Sequence, residues 1–121
     1  MTRSLIFTAI ALAAITSSAW GYRVLEQTED AYELSLSAVR LPANERGAVT
    51  FTACATCRTT TLRVTQATRY FANGTQIELA DLRELVDDLR ETTAGRELSS
   101  VYIYFDIASL RVNRLAVSYR N

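Results

Sequence analysis

The sequence contains no histidine and no lysine, and all 13 of its basic residues are arginine. Without histidine the chain cannot build a Ser-His-Asp or Cys-His nucleophile system, and it lacks the commonest side-chain ligand of transition metals. Without lysine it cannot form a Schiff base or the lysine-containing phosphate loop of P-loop proteins. We therefore expect no catalytic residues, no metal site and no cofactor, which favours a non-enzymatic protein.

Long apolar runs are also missing, apart from one short run at the N-terminus, MTRSLIFTAIALAAITSSAWG. Arg3 supplies a positive start, residues 5–15 are almost entirely apolar, and Ser17 and Ala19 are the small residues expected before a cleavage site. This run is too short to cross a hydrocarbon core of about 30 Å as a helix. We therefore predict a signal peptide over residues 1–19, no transmembrane segment in the mature chain, and a periplasmic or secreted bacterial location. An uncleaved N-terminal anchor is the alternative.

The charge is balanced, with no excess of either sign. Cleavage after residue 19 of the 121 leaves 102 residues, which is enough for one small domain. That mature chain keeps 12 arginines against 13 acidic residues, a net charge of −1. Nucleic-acid-binding domains usually carry a clear basic excess, so we expect no nucleic-acid partner. We predict a flexible N-terminal segment over residues 20–30 and a single domain over residues 31–121.

Alternating apolar and polar residues predict most of this domain to be β-structure. Three alternating stretches, at residues 34–40, 49–54 and 60–66, are followed by the pair Asn73-Gly74. Asn-Gly is a strong signal for a tight hairpin turn, and we prefer this interpretation to a glycosylation site at the same residues. Two further alternating stretches, at residues 101–107 and 110–119, are expected to pair antiparallel.

One amphipathic helix is predicted between the third and fourth of these main strands. Leu82, Leu85, Val86 and Leu89 share one side of a helix over residues 80–93, and charged residues cover the other side. Five strands with a helix in this position match the element order of the OB-fold, a small and partly open barrel. We therefore predict a mainly β, five-stranded OB-like barrel. The alternative is an open antiparallel sheet with the helix packed on one face.

Residues 62–82, which read LRVTQATRYFANGTQIELADL, resemble a pattern found in bacterial secreted OB-like β-barrel domains of uncharacterised function. The final strand pair is also of the kind that such domains carry. The resemblance implies a barrel and a location in the cell envelope, and it implies no site residues. The positions that carry it are Val64-Thr65, Thr68, Asn73-Gly74 and Leu79-Ala80-Asp81-Leu82.

Cys54 and Cys57 are the only cysteines and form a CATC motif. In an oxidising compartment we expect them to pair as a structural disulfide at the tip between the second and third strands. A thiol-disulfide redox function is the alternative. Thioredoxin-like proteins place the first cysteine at a helix N-terminus, whereas here a Thr-rich strand follows, and only Arg58 favours a thiolate. Two thiolates supply half of a tetrahedral metal shell, so metal binding is the least favoured interpretation.

A second candidate site consists of Tyr102, Tyr104, Arg114 and Arg120. If the last two strands pair, the alternation places both tyrosines and one or both of the arginines on the outward face of one hairpin. Such a surface can stack sugars or bases, although cross-strand Tyr–Arg pairs also stabilise ordinary sheets. The predicted function is therefore an exported binding or structural module of the bacterial cell envelope, with an envelope protein or a glycan as partner.

Overall fold

The computed structural model describes residues 28–120. The predicted signal peptide and most of the predicted flexible segment lie outside these residues. The first described strand begins at Glu29, so the sheet includes the last two residues of the segment that we expected to be flexible.

Within the described range the chain forms eight strands, two α-helices and one 3-10 turn. The five-stranded sheet has the order β1-β7-β8-β5-β6, and the three-stranded sheet has the order β2-β3-β4. All neighbouring strands are antiparallel except β5 and β8, which are parallel. The elements are β1 (Glu29–Ser35), the 3-10 turn (Leu36–Ala38), β2 (Val39–Arg40), β3 (Ala48–Thr52), β4 (Thr59–Arg63), β5 (Arg69–Ala72), β6 (Thr75–Ile77), α1 (Leu79–Arg90), α2 (Thr93–Leu98), β7 (Ser100–Asp106) and β8 (Val112–Ser118).

Both sheets of the described domain are open, so the predicted OB-like barrel is wrong, and open sheets with a packed helix describe the fold better. The difference begins in residues 34–40, which we predicted to be one strand. The 3-10 turn at Leu36–Ala38 divides this stretch, and the chain leaves the five-stranded sheet there and enters the three-stranded sheet. Alternation continues through both halves because each strand buries one face, so the sequence pattern does not reveal the change of sheet.

The core of the five-stranded sheet contains a row of inward side chains that crosses all five strands. Its members are neighbours in the strand register: Tyr32, Ile103, Leu115, Tyr70 and Ile77. Ile103 and Leu115 are completely buried. The row therefore joins the first and last described strands of the chain to the β5–β6 hairpin at the other edge of the sheet.

Aromatic rings connect the two sheets. The ring of Tyr32 in β1 lies 4.7 Å from that of Phe51 in β3 and 5.4 Å from that of Phe105 in β7. Because Phe51 belongs to the small sheet and Phe105 to the large one, these contacts close the core between the sheets. Such ring pairs contribute about 0.5–1.5 kcal/mol beyond the burial of their surface.

Helix α1 covers this core through its apolar side, as its sequence pattern predicts. Leu82 and Val86 are buried in the same cluster as the strand residues. The guanidinium of Arg90, at the end of the helix, donates hydrogen bonds to the carbonyl oxygens of Leu36 and Val39. The predicted helix over residues 80–93 is thus confirmed in position, but it ends at Arg90, and a second short helix follows.

The predicted turn at Asn73-Gly74 is confirmed and has a further role. Both residues have positive φ, 46° and 83°, and the turn joins β5 to β6. The Asn73 side chain accepts a hydrogen bond from the backbone N–H of Tyr119 at 2.9 Å and donates one to the Tyr119 carbonyl oxygen at 3.1 Å. This turn therefore holds the chain directly after β8.

Thr65 and Thr68 hold the β4–β5 connection against β8. The buried hydroxyl of Thr68 donates to the carbonyl oxygen of Val112 at 2.7 Å and accepts from the backbone N–H of Thr65 at 3.0 Å. A hydrogen-bonded hydroxyl is the usual way in which a threonine is tolerated in a core. The connection thus sets where β5 begins beside β8.

Tyr70 is buried, at 4% exposure, and its hydroxyl has no hydrogen-bond partner within residues 28–120. A buried polar group without a partner costs about 1–3 kcal/mol. We therefore expect Tyr70→Phe to raise the free energy of unfolding by about 1 kcal/mol at pH 7, as measured by urea denaturation. A loss of stability in this variant would contradict the absence of a partner.

The same variant should also change the response to alkaline pH. Burial, with a smaller contribution from the charge of Glu45, raises the pKa of Tyr70 from 10.0 to about 12. A tyrosine that ionises less readily when folded contributes stability below its unfolded pKa, and this stability is lost as pH rises towards the folded pKa. Between pH 10 and about 12 the wild type should therefore lose more stability than Tyr70→Phe.

Candidate functional site

The last two strands form the antiparallel hairpin that the sequence predicts. Tyr104 is the register partner of Arg114, and Tyr102 is the partner of Ala116. Neighbouring residues of β7, such as Ile103, are buried, so the two tyrosines lie on the outer face of the sheet, away from the core. We call the surface formed by Tyr102, Tyr104 and Arg114 the tyrosine–arginine face.

Arg114 is held across the ring of Tyr104. Its guanidinium carbon lies 4.0 Å from the ring centroid, and its Nη2 forms an ion pair with Oε1 of Glu29 at 3.3 Å. A cation–π contact at an exposed site is worth about 0.5–1 kcal/mol. The Arg114 side chain remains 48% exposed, so part of the guanidinium faces solvent.

Tyr102 is oriented by a hydrogen bond to β1. Its hydroxyl donates to Oε1 of Glu33 at 3.1 Å. This hydrogen bond and the negative charge of Glu33 raise the pKa of Tyr102, because both favour the protonated phenol. The ring therefore presents a fixed, uncharged aromatic surface beside Tyr104.

A β-bulge in β8 brings two consecutive side chains to the same carboxylate. The register shifts between Tyr104 and Phe105, and Asn113 is the extra residue opposite this step. Asn113 Nδ2 donates to Oε2 of Glu29 at 2.8 Å, while Arg114 contacts the other oxygen. Bulges commonly redirect a side chain in this way.

Arg120 does not join the other three predicted site residues. It lies beyond the end of β8 at Ser118, and no ion pair or ring contact of Arg120 occurs within the described residues. The prediction assumed that the strand continues through Arg120, whereas β8 ends at Ser118.

The structure adds Phe71 to the outer face, which the sequence analysis missed. Phe71 is the register partner of Ala116 in the parallel β5–β8 pair, and Ala116 is in turn the partner of Tyr102. Since strands lie about 4.8 Å apart, two aromatic residues stand about 10 Å from each other across a small alanine. Phe71 follows the buried Tyr70, so alternation along the strand indicates an outward side chain. The sequence pattern does not indicate that β5 pairs with β8.

Cys54 and Cys57 form a disulfide at the tip of the β3–β4 hairpin. A strand precedes the pair and a strand follows it, so neither cysteine lies at a helix N-terminus. Their Cα atoms are 5.0 Å apart, and the backbone N–H of Cys57 donates to the Cys54 carbonyl oxygen at 3.2 Å. Both residues are exposed. A cavity of about 360 Å³ beside the tip is lined by Cys54 and by Glu33, so the tip borders strand β1.

We expect the double variant Cys54→Ser, Cys57→Ser to keep the fold and to lose about 2 kcal/mol of unfolding free energy. The value follows from the loop entropy of so short a closed segment. Urea denaturation of the oxidised protein and the variant measures the difference, and Arg58→Gln at the same tip serves as a control with little change. An unfolded double variant would contradict this purely local role.

Within residues 28–120 two further features are absent. No group of three or more His, Cys, Asp or Glu side chains is placed to hold a metal ion. None of the helices in this range has the length and apolar character needed to cross a bilayer.

Comparison of the chain with protein-family models, with curated proteins and with solved structures gives no match in any of the three cases. The chemistry of the surface itself is therefore the guide to its function.

Proposed function

We propose that this chain is an exported, non-enzymatic binding module of the bacterial cell envelope that binds a glycan on the tyrosine–arginine face. The observation that carries the proposal is the Arg114 guanidinium held over the Tyr104 ring, beside Tyr102, on the solvent side of the sheet. The opposite side of the same strands is filled by core residues, so only this side is available to a ligand.

The chemistry of the face suits a sugar. Pyranose rings have apolar C–H faces that pack on aromatic rings, and hydroxyl edges that need hydrogen-bond partners. Tyr102, Tyr104 and Phe71 offer the aromatic surfaces, while Glu33 and the exposed part of Arg114 offer charged polar groups. Tyr102 is held by its hydrogen bond to Glu33, and Tyr104 by its contact with Arg114, which lowers the entropy lost when a ligand binds.

The proposed location follows from two independent features. The N-terminal pattern is typical of a secretory signal peptide, and the disulfide is typical of proteins that fold in an oxidising compartment. Both support export to the periplasm or beyond.

The test is an NMR titration of the mature protein with soluble peptidoglycan fragments. We expect amide shifts in β7 and β8, and about tenfold weaker binding for Tyr104→Ala and for Arg114→Ala, since one lost stacking or charged contact is worth roughly 1.4 kcal/mol. Arg120→Ala removes the same side chain beyond the strand end and should bind as the wild type does. Equal affinity in Tyr104→Ala, or no shifts in β7 and β8 with these fragments, would refute the proposal.

A further inference from the structure

A cavity of about 340 Å³ adjoins the tyrosine–arginine face, at the beginning of β5 and β8. Three arginines line it: Arg69, Arg111 and Arg114. We call it the arginine pocket. Its volume is within the usual range for small-ligand sites, about 300–1,000 Å³. The other lining residues are Glu29, Ala67, Val112 and Asn113.

The fold places these like charges directly opposite one another. Arg69 in β5 is the register partner of Arg114 in β8, and Arg111 forms an isolated bridge with Arg63, at the end of β4. Like charges opposite each other across a strand pair destabilise a sheet. The two arginine pairs, Arg69–Arg114 and Arg63–Arg111, therefore lower the stability of the fold unless an anion lies between them.

The carboxylates nearby neutralise the pocket only in part, since three arginines and one glutamate line it. Glu29 pairs with Arg114, whereas Arg69 and Arg111 have no ion pair within residues 28–120. Asp106 does not line the pocket, and its Oδ2 accepts hydrogen bonds from the N–H and the hydroxyl of Ser109 at 2.8 and 2.7 Å. These bonds, with a smaller contribution from the charge of Arg111, lower the pKa of Asp106, so this carboxylate offsets part of the charge of Arg111. The pocket thus retains a local positive charge in a chain whose total charge is balanced.

We infer that the arginine pocket binds an oxyanion group, a carboxylate or a phosphate ester, carried by the glycan on the tyrosine–arginine face. This inference rests on the proposed function. A guanidinium donates two parallel hydrogen bonds to such a group, and an anion placed between Arg69 and Arg114 removes the repulsion between them.

Arg114 connects the two parts of the site. It lies over the Tyr104 ring and also lines the arginine pocket. A sugar stacked on the tyrosines therefore has its charged substituent within reach of Arg69 and Arg111. The ligand class that fits both parts is an acidic or phosphorylated sugar.

The test compares three small probes by NMR titration: glucuronate, glucose 1-phosphate and neutral glucose. We expect at least one of the two anions to bind at least tenfold more tightly than glucose, with shifts at Arg69 and Arg111, and to bind more weakly at high salt. The tighter of the two anions identifies the source of the oxyanion. Equal binding of all three probes would overturn the inference.

Arg69→Gln is the decisive variant. It should weaken binding of the preferred anion about tenfold without lowering stability, because it removes one member of a like-charge pair. Arg58→Gln, which lies outside the residues that line the pocket, is the matched control and should bind as the wild type does. Arg111→Gln gives an independent second measurement. Unchanged anion affinity in both pocket variants would overturn the inference.

A neutral oligosaccharide of N-acetylglucosamine separates the failure of this inference from that of the proposed function. Its binding should weaken about tenfold in Tyr104→Ala and be unchanged in Arg69→Gln. If it behaves in this way while the anions show no preference for the pocket, the glycan-binding face stands and the arginine pocket does not. If the anions bind in the pocket and no glycan contacts the tyrosines, the proposed function fails, and with it the inferred coupling of the pocket to a glycan.

Discussion

Leu115→Ala is expected to lower the free energy of unfolding by about 4 kcal/mol, the largest effect we expect from a single substitution in this chain. Leu115 is completely buried in β8, the central strand of the five-stranded sheet. Its register partners on either side are Ile103 and Tyr70, and strands on both sides prevent the backbone from closing the cavity. The loss is therefore expected near the upper part of the range for Leu→Ala.

Urea denaturation followed by far-UV circular dichroism measures this change. Leu98→Ala is the matched control, because Leu98 in α2 is 53% exposed and should change stability by no more than about 0.5 kcal/mol. A loss below about 1.5 kcal/mol in Leu115→Ala would mean that β8 does not occupy the centre of the core.

Gly95→Ala is expected to lower the free energy of unfolding by about 3 kcal/mol, the second large effect. Two physical effects oppose each other at this position. Helix propensity alone would favour alanine by about 1 kcal/mol. However, Gly95 is buried against the end of α1, and a Cβ atom would overlap the carbonyl oxygen of Leu89 and lie 2.7 Å from Oγ1 of Thr92. A backbone carbonyl cannot rotate away as a side chain can, so the contact between the two helices must open.

The sign of the change decides which effect prevails. A drop in the thermal or urea midpoint of Gly95→Ala indicates that close packing requires the glycine, whereas a gain would indicate that propensity dominates. Ala94→Gly, one position earlier and exposed, provides the control for propensity and should lose only about 1 kcal/mol.

The sequence predicted local features well. Alternation assigned Ile103 and Leu115 to the core and Tyr102 and Tyr104 to the outer face, as the structure shows. The Asn73-Gly74 turn followed from the backbone preferences of its residues. Each of these predictions needs only the side-chain period or the φ preference of a few neighbouring residues.

The relations between distant strands could not be predicted in the same way. Alternation states which face a residue occupies but not which strand lies beside it, so the parallel pairing of β5 with β8 gave no signal. Both Phe71 on the outer face and the opposition of Arg69 to Arg114 depend on that pairing. The barrel prediction was wrong for a related reason. It was based on the order of the elements along the chain, and that order does not specify whether the sheets close.

The hydrogen bonds between Asn73 and Tyr119 have a consequence for how the protein ages. Asparagine followed by glycine is the dipeptide most prone to spontaneous deamidation, and hydrolysis of this side-chain amide would produce an aspartate. The new carboxylate could still accept from the Tyr119 N–H, but its second oxygen would face the Tyr119 carbonyl, where the amide now donates. Two acceptors would then repel each other, and the end of the central strand would loosen with chemical damage at a turn 46 residues earlier in the chain.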